Sequence, residues 1–180
     1  MPEPHPFVFG KSPRYGDFIS LGLSPAQETA WDGFGAAVMA RARHYWGADH
    51  AQGHAQAPMW RFVLPPQTLG MDGWTVGALS PSMDSVGRLF LLAAGLAGAG
   101  DAALPDAETF ANHAEECVWQ AIVGGQDKET VAGALSAVPL APGYGLRARW
   151  WTARGDENSA MLPDDLFTLL SSPPPDEAQS

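Results

Sequence analysis

Three residues that could carry chemistry, Ser82, Asp84 and Arg88, stand close together in the segment LSPSMDSVGRLFLL, between two predicted strands. A serine there could act as a nucleophile and an arginine could bind an anion, because loops between strands often hold functional groups. No histidine that could serve as a base is near them in the sequence. We therefore favour a structural role, in which Ser82 or Asp84 accepts hydrogen bonds from turn amides, Gly87 adopts an unusual backbone conformation and Arg88 pairs with a carboxylate. Recognition of a partner overlaps with this role, and catalysis is the weaker alternative.

The segment FGKSPRYGDF contains Gly10, Lys11 and Ser12, which match part of the phosphate-binding pattern GxxxxGK[ST]. His5 stands where that pattern needs its first glycine. Pro13 follows Ser12, has no amide hydrogen to donate, and disfavours helical dihedrals at the residue before it. We predict that this segment and PSMDSVGR are structural turns at strand ends, and that the chain binds no nucleotide.

The histidines His44, His50 and His54, together with Asp49, bring four potential metal ligands into a short stretch. Neutral imidazoles bind zinc and nickel well. The surrounding segment 47–57 is rich in alanine, glycine and glutamine, however, and offers no bulky residues to orient the rings. We predict a mobile connection that contributes nothing to the core and holds no metal.

His113 and Cys117 are one helical turn apart and could form a thiolate pair. Cys117 falls within a predicted apolar stripe, however, and buried cysteines of this kind are usually inert. No catalytic pair is predicted, and no cofactor is indicated.

Composition and charge exclude several classes of protein. The chain has 180 residues and a net charge of −10, with no cluster of basic residues, so neither nucleic acid nor an anionic membrane is an expected partner. It has one cysteine and no apolar N-terminal run of the kind found in signal peptides or membrane spans. We expect a cytoplasmic protein with a single domain over residues 1–170 and a disordered tail over 171–180.

Hydrophobic periodicity predicts the elements of the fold. Ser24 and Gln27 form a capping-box pattern that begins a helix ending at Gly47, and Asp106 could cap a second helix ending at Gly124. The predicted strands are 5–11, 17–23, 59–64, 73–80, 88–97 and 147–154, and further short helices are predicted at 127–138 and near PDDLFTLL. This order indicates an α+β fold: an N-terminal strand pair and a three-strand meander in a largely antiparallel sheet, with helices on its faces. The order resembles that of longin-like α/β/α sandwiches.

Several short motifs in a fixed order resemble the TagF family of proteins associated with the type VI secretion system. They are GK-x-P-x-x-GDF, then P-x-WRF-x-L, then PS-x-D-x-VGR-x-F, and finally a tryptophan pair followed by Leu-Pro and Leu-Phe. The residues that carry the resemblance are Gly10, Lys11, Pro13, Gly16, Asp17, Phe18, Trp31, Trp60, Arg61, Phe62, Pro81, Ser82, Asp84, Gly87, Arg88, Trp150 and Trp151. The segment RARWWTARG departs from the family, whose members tend to have serine before a hydrophobic residue and the tryptophan pair.

The resemblance implies a cytoplasmic, non-enzymatic repressor of type VI secretion that acts after translation. Members of the family are thought to act through the forkhead-associated scaffold protein Fha, which is therefore the expected partner. Two alternatives stay open. One is a longin-like adaptor that binds a peptide at a sheet edge or in a helix groove. The other is an enzyme that uses the Ser82, Asp84 and Arg88 turn.

Asp17 and Arg88 are expected to share one polar cluster, with Asp84 as a third candidate member, because a charged residue beside apolar strands is costly unless it is paired. If the cluster is buried, Arg88→Ala should destabilise the fold by roughly 3 to 5 kcal/mol. If it is exposed, the same change should spare the melting temperature and weaken partner binding.

Overall fold

A single antiparallel sheet organises the computed structural model, which describes residues 3–98, 106–139, 146–160 and 162–169. Within these residues the strands are β1 (His5–Gly10), β2 (Ile19–Leu21), β3 (Trp60–Leu64), β4 (Thr75–Met83), β5 (Leu89–Ala97), β6 (Arg149–Trp151) and β7 (Glu157–Asn158). Their spatial order is β2-β1-β5-β4-β3-β6-β7. The predicted N-terminal strand pair and the meander of β3, β4 and β5 are confirmed. In addition, β1 lies beside β5, and β6 lies beside β3.

Three of the four described helices begin and end largely where the sequence signals them, and α2 was not predicted. They are α1 (Pro25–Trp46), α2 (His50–Gln56), α3 (Ala107–Val123) and α4 (Lys128–Ser136). At the start of α1 the Ser24 hydroxyl accepts a hydrogen bond from the Gln27 amide, and the Gln27 side chain accepts one from the Ser24 amide. The helix ends at Gly47, whose φ of 54° suits glycine.

The two faces of the sheet carry different helices. Successive strand residues point to opposite faces, so Phe7 and Phe62 pack on one side with α1, while Val8 and Val63 pack on the other with α3 and α4. Both faces are therefore covered, which confirms the α+β fold with helices on the two sides of an antiparallel sheet. This arrangement is compatible with the longin-like comparison.

Two glycines allow the central strands to approach closely. Gly77 on β4 faces Gly95 on β5. A Cβ atom on Gly77 would lie 2.3 Å from the Ala94 carbonyl oxygen, and one on Gly95 would lie 2.3 Å from that of Val76. No side chain fits at either position without a shift of the backbone.

The prediction of a mobile, coreless connection at 47–57 is wrong. Gly47–Asp49 form a 3-10 turn, and α2 follows it directly. Its small residues permit close packing: a Cβ on Gly53 would lie 2.2 Å from the Trp46 ring, and the side chain of His54 is buried. The segment therefore contributes to the core.

Three predictions concern the C-terminal part of the chain. The predicted strand 147–154 is shorter, because only Arg149–Trp151 pair with β3. The helix predicted near PDDLFTLL is wrong for residues 164–169, which form turns, although Leu166 and Phe167 are buried. The tail predicted at 171–180 lies outside the described residues.

Candidate functional site

Two segments that are far apart in the sequence meet at one end of the central strands. They are residues 11–18, which follow β1, and residues 82–88, which run from the end of β4 to the start of β5, and we call them the paired turns. The Ser82 hydroxyl donates to the Lys11 carbonyl at 2.7 Å, and the Ser85 amide donates to the Tyr15 carbonyl at 2.8 Å. Because β1 lies beside β5 in the sheet, its end is brought next to the β4–β5 turn.

Asp84 is the centre of a polar network within the paired turns. Its side chain is buried and accepts hydrogen bonds from the Val86 amide (3.1 Å), the Arg88 amide (2.9 Å) and Arg88 Nε (2.7 Å). Lys11 Nζ lies 3.4 Å from the same carboxylate. Burial alone would raise the pKa of Asp84, but the hydrogen bonds from Arg88 and Val86 and the charge of Arg88 outweigh it and lower the pKa to about 2. The carboxylate is therefore held charged at neutral pH.

Arg88 connects the two turns, whereas Asp17 does not. Arg88 Nη2 donates to the Gly16 carbonyl at 2.7 Å, so one guanidinium contacts both segments. Asp17 is exposed, and its carboxylate accepts a hydrogen bond from the adjacent Phe18 amide at 2.8 Å. The pairing of Arg88 with Asp84 is confirmed. The expected membership of Asp17 is wrong, because the loop presents the Gly16 carbonyl to Arg88 and turns the Asp17 side chain towards solvent.

Apolar side chains are exposed around this network. Phe18 is 45% exposed, Met83 39% and Val86 71%. The Phe18 ring packs at 5.0 Å between centroids against Phe90, and Lys11 Nζ lies 4.8 Å from its centroid. An aromatic ring held on one side and exposed on the other is suited to contact a partner.

The loop 11–18 is also fixed to the helices behind the sheet. Tyr15 accepts a hydrogen bond from the Lys128 amide at 3.1 Å, and Arg14 Nη1 donates to the Gly125 carbonyl at 2.9 Å. Sequence reasoning did not single out Arg14 or Tyr15. Their only signal was their position inside the GK-x-P-x-x-GDF motif.

The remaining motif residues lie in the fold and outside the paired turns. Trp31, Trp60, Phe62 and Trp150 are buried on the α1 side of the sheet, and Trp151 is buried on the opposite side. Arg61 reaches α3, where its Nε lies 3.0 Å from a Glu115 carboxylate oxygen and its Nη2 donates to Asn112. These contacts hold strands and helices together.

The three histidines that were considered as metal ligands lie on helices and not in a loop. His44 lies on α1 and is exposed, whereas the rings of His50 and His54 on α2 lie 6.0 Å apart. Within the described residues, no three His, Cys, Asp or Glu side chains are arranged to hold a metal ion. That the protein is purified without metal stays a prediction.

The His113 and Cys117 pair does not favour a thiolate. Cys117 is buried in the apolar stripe of α3, as predicted, with its Sγ 3.7 Å from His113 Nε2. That nitrogen also lies 3.0 Å from the Ala134 carbonyl oxygen, to which it can only donate. Burial and the nearby Glu116 raise the pKa of the Cys117 thiol.

A concave site is present elsewhere. A cavity of about 590 Å³ lies between α1, α2, α3 and the β6–β7 turn, and its lining includes Trp46, Met59, Glu115 and Arg154. Ser82, Asp84 and Arg88 are not among the described residues that line it. This cavity is therefore separate from the turn that the enzyme alternative requires. Among the described helices, none has both the length and the apolar character needed to cross a bilayer.

The fold and the paired turns define a small α+β domain with a partly apolar surface at one end of its central strands. A family model for the TagF N-terminal domain, described as type VI secretion system-associated, matches residues 8–138. The chain belongs to this family.

A solved structure shows the same fold. The crystal structure of PA0076 from Pseudomonas aeruginosa PAO1 matches with a TM-score of 0.70 at 21% sequence identity, covering 90% of this chain and 91% of that chain. A comparison with curated proteins finds no match.

Proposed function

We propose that this chain is a non-enzymatic regulator of type VI secretion that acts by binding a protein through the paired turns. The observation that carries the proposal is the combination of a buried network around Asp84 with the exposed side chains of Phe18, Met83, Val86 and Arg88. The family provides the association with type VI secretion.

The geometry of the paired turns supports binding in two ways. Hydrogen bonds from Arg88 to Asp84 and to Gly16 hold the backbone of both turns in place before a partner arrives, which lowers the entropy lost on association. Aromatic and arginine side chains are also the residues that most often dominate binding energy at interfaces. Phe18 and Arg88 provide one of each.

The finer part of the proposal follows the family resemblance. The partner is the Fha scaffold, the effect is repression after translation, and the location is the cytoplasm. A protein of net charge −10 has little electrostatic attraction to nucleic acid or to anionic lipid, which favours a protein partner over either.

The test uses Val86→Asp, because Val86 is 71% exposed and contributes only its backbone amide to the Asp84 network. Arg147→Ala is the matched control. It changes the net charge by the same amount, and Arg147 is an exposed residue beside β6, outside the paired turns.

Both variants are expected to melt close to the unmodified chain. Val86→Asp should lose capture of Fha from cells with an active type VI system by at least about tenfold, because an aspartate would be desolvated at the interface. Type VI secretion should be higher in cells that carry Val86→Asp than in cells that carry the unmodified chain. Equal capture of Fha by Val86→Asp and the control would contradict the role of the paired turns. Absence of capture by the unmodified chain would contradict the choice of partner.

A further inference from the structure

A buried histidine links α2 to the paired turns. His54 is 2% exposed, and its Nε2 lies 2.8 Å from the Ser82 carbonyl oxygen. A carbonyl oxygen only accepts, so Nε2 carries the proton and donates it. Ser82 in turn donates its hydroxyl to the Lys11 carbonyl. The chain of contacts therefore runs from α2 into both paired turns.

The rest of the His54 ring lies among other rings. Its centroid is 5.5 Å from that of Phe167 and 6.0 Å from that of His50. Nδ1 is buried and has no hydrogen-bond partner within the described residues. A neutral ring tolerates this position, because an unprotonated Nδ1 has no hydrogen to satisfy. A protonated ring would bury a positive charge among these rings.

Within the described part of the chain, the groups that act on the pKa of His54 include no acidic side chain. From β4 and β5 it meets the backbone carbonyls of Ser82 and Phe90, from its own helix His50, and from the segment 162–169 the ring of Phe167. Burial lowers the pKa of His54, as does His50, and the two carbonyls raise it by a smaller amount.

His50 has the same character. Both of its ring nitrogens are buried without a hydrogen-bond partner in the described part of the chain. Burial and the charge of Arg43 on α1 lower the pKa of His50. Protonation of His50 is therefore disfavoured in the folded state, as it is for His54.

We infer that His54 is a positioning residue whose protonation undocks α2 and loosens the Ser82 side of the paired turns, so that the proposed binding surface weakens on acidification. The link to binding rests on the function proposed above. The undocking itself does not.

The direction of the pH effect follows from linkage. A histidine whose pKa is lower in the folded state than its usual 6.5 favours folding fully above that value. The stabilisation is lost as pH falls below about 6.5 towards the folded-state pKa. Once undocked, His54 titrates near its usual value. Lowering the pH from about 7.5 to about 5.5 should therefore increase the opening equilibrium of α2 by up to about tenfold.

Amide hydrogen exchange on the full chain without any partner tests this inference, after correction for the intrinsic pH dependence of exchange. The amides of α2, and that of Ser85 in the paired turns, should lose protection over this pH range in the unmodified chain. His54→Gln should remove most of that loss, because its amide group keeps a donor for the Ser82 carbonyl and does not titrate. His44→Gln, which alters an exposed histidine on α1, should behave like the unmodified chain.

Protection that does not change with pH, or that changes equally in His54→Gln, would overturn the inference. If His54→Gln does not fold, an NMR titration of His54 in the unmodified chain decides: a pKa of about 6.5 or above contradicts the inference, and a lower value supports it. No partner is present in either measurement. Failure here is thus distinct from failure of the proposed function.

Discussion

Two arginines with the same exposure belong to very different ion pairs. The side chains of Arg88 and Arg147 are each 59% exposed. Arg88 pairs with Asp84, whose side chain is fully buried, whereas Arg147 pairs with Glu157, which is 36% exposed. The exposure of the acid separates the two cases, since a buried carboxylate depends on its donors and an exposed one is solvated by water without them. Arg88 therefore holds a buried carboxylate and is also accessible to a partner. The sequence analysis treated stabilisation and partner binding as alternatives for this cluster, and the structure allows both.

The largest effect is expected from Asp84→Ala. It removes the acceptor of two backbone amides and leaves the nearly buried Lys11 without its carboxylate. We expect the melting temperature to fall by on the order of 10 °C, measured by calorimetry. The melting temperature of Asp84→Asn should fall by less, because asparagine keeps an acceptor oxygen. A loss no larger than that of Glu157→Ala would remove the distinction between the two ion pairs.

The second prediction concerns acid. The pKa of Asp84 is about 2 in the folded protein, whereas the ordinary value for an aspartate is 3.8. The charged carboxylate therefore stabilises the fold above about pH 4, and this stabilisation is lost as pH falls towards 2. The difference in melting temperature between the unmodified chain and Asp84→Asn should therefore shrink over that range. A constant difference from pH 5 to about pH 2 would show that the Asp84 charge does not stabilise the fold.

The third prediction is a smaller loss for Arg88→Ala, of about 5 °C in melting temperature. Asp84 stays buried in this variant but keeps two backbone donors and Lys11, which limits the cost. Arg88→Lys should recover only part of the loss. Lysine keeps a positive charge near Asp84, but its single ammonium group cannot contact both the carboxylate and the Gly16 carbonyl as the guanidinium does. Full recovery by lysine would mean that the link to Gly16 contributes nothing.

The smallest effect is expected from Arg147→Ala, with a change in melting temperature of no more than about 2 °C. Its partner Glu157 also lies 3.9 Å from Arg149, so a cation remains nearby. The small change should vanish in about 1 M salt, whereas the Arg88→Ala loss should largely persist, since buried pairs are screened less. Equal salt sensitivity would argue that Asp84 is reached by solvent ions.

Local signals in the sequence predicted most of the elements. The capping box at Ser24 and Gln27 and the glycine at position 47 set the ends of α1, and alternating apolar residues indicated the strands of the meander. The turn at 82–88 was predicted from its residue types, and Asp84 accepts the turn amides as expected. These features depend on interactions within a few residues, which sequence patterns record directly.

The position of α2 is where such signals were misleading. The alanine, glycine and glutamine residues suggested a mobile segment. In the structure, however, the Trp46 ring packs directly against Gly53, where a larger residue would not fit. His54 appeared to be a possible metal ligand and is instead a buried donor to Ser82, 28 residues away in the sequence. A low content of bulky residues is compatible with a loop or with close packing, and only the neighbouring element distinguishes them.

The sequence alone determined the two turns as turns, the helix that separates the first strand pair from the meander, and the family. Only the tertiary structure decided that β1 lies beside β5, which brings Lys11 and Gly16 to Asp84 and Arg88. It also decided that the Gly16 carbonyl, and not the Asp17 carboxylate, receives the Arg88 guanidinium across 72 residues. Contacts of this kind depend on the packing of whole elements and on which polar groups lose water in the process, and neither is encoded in the residues next to them.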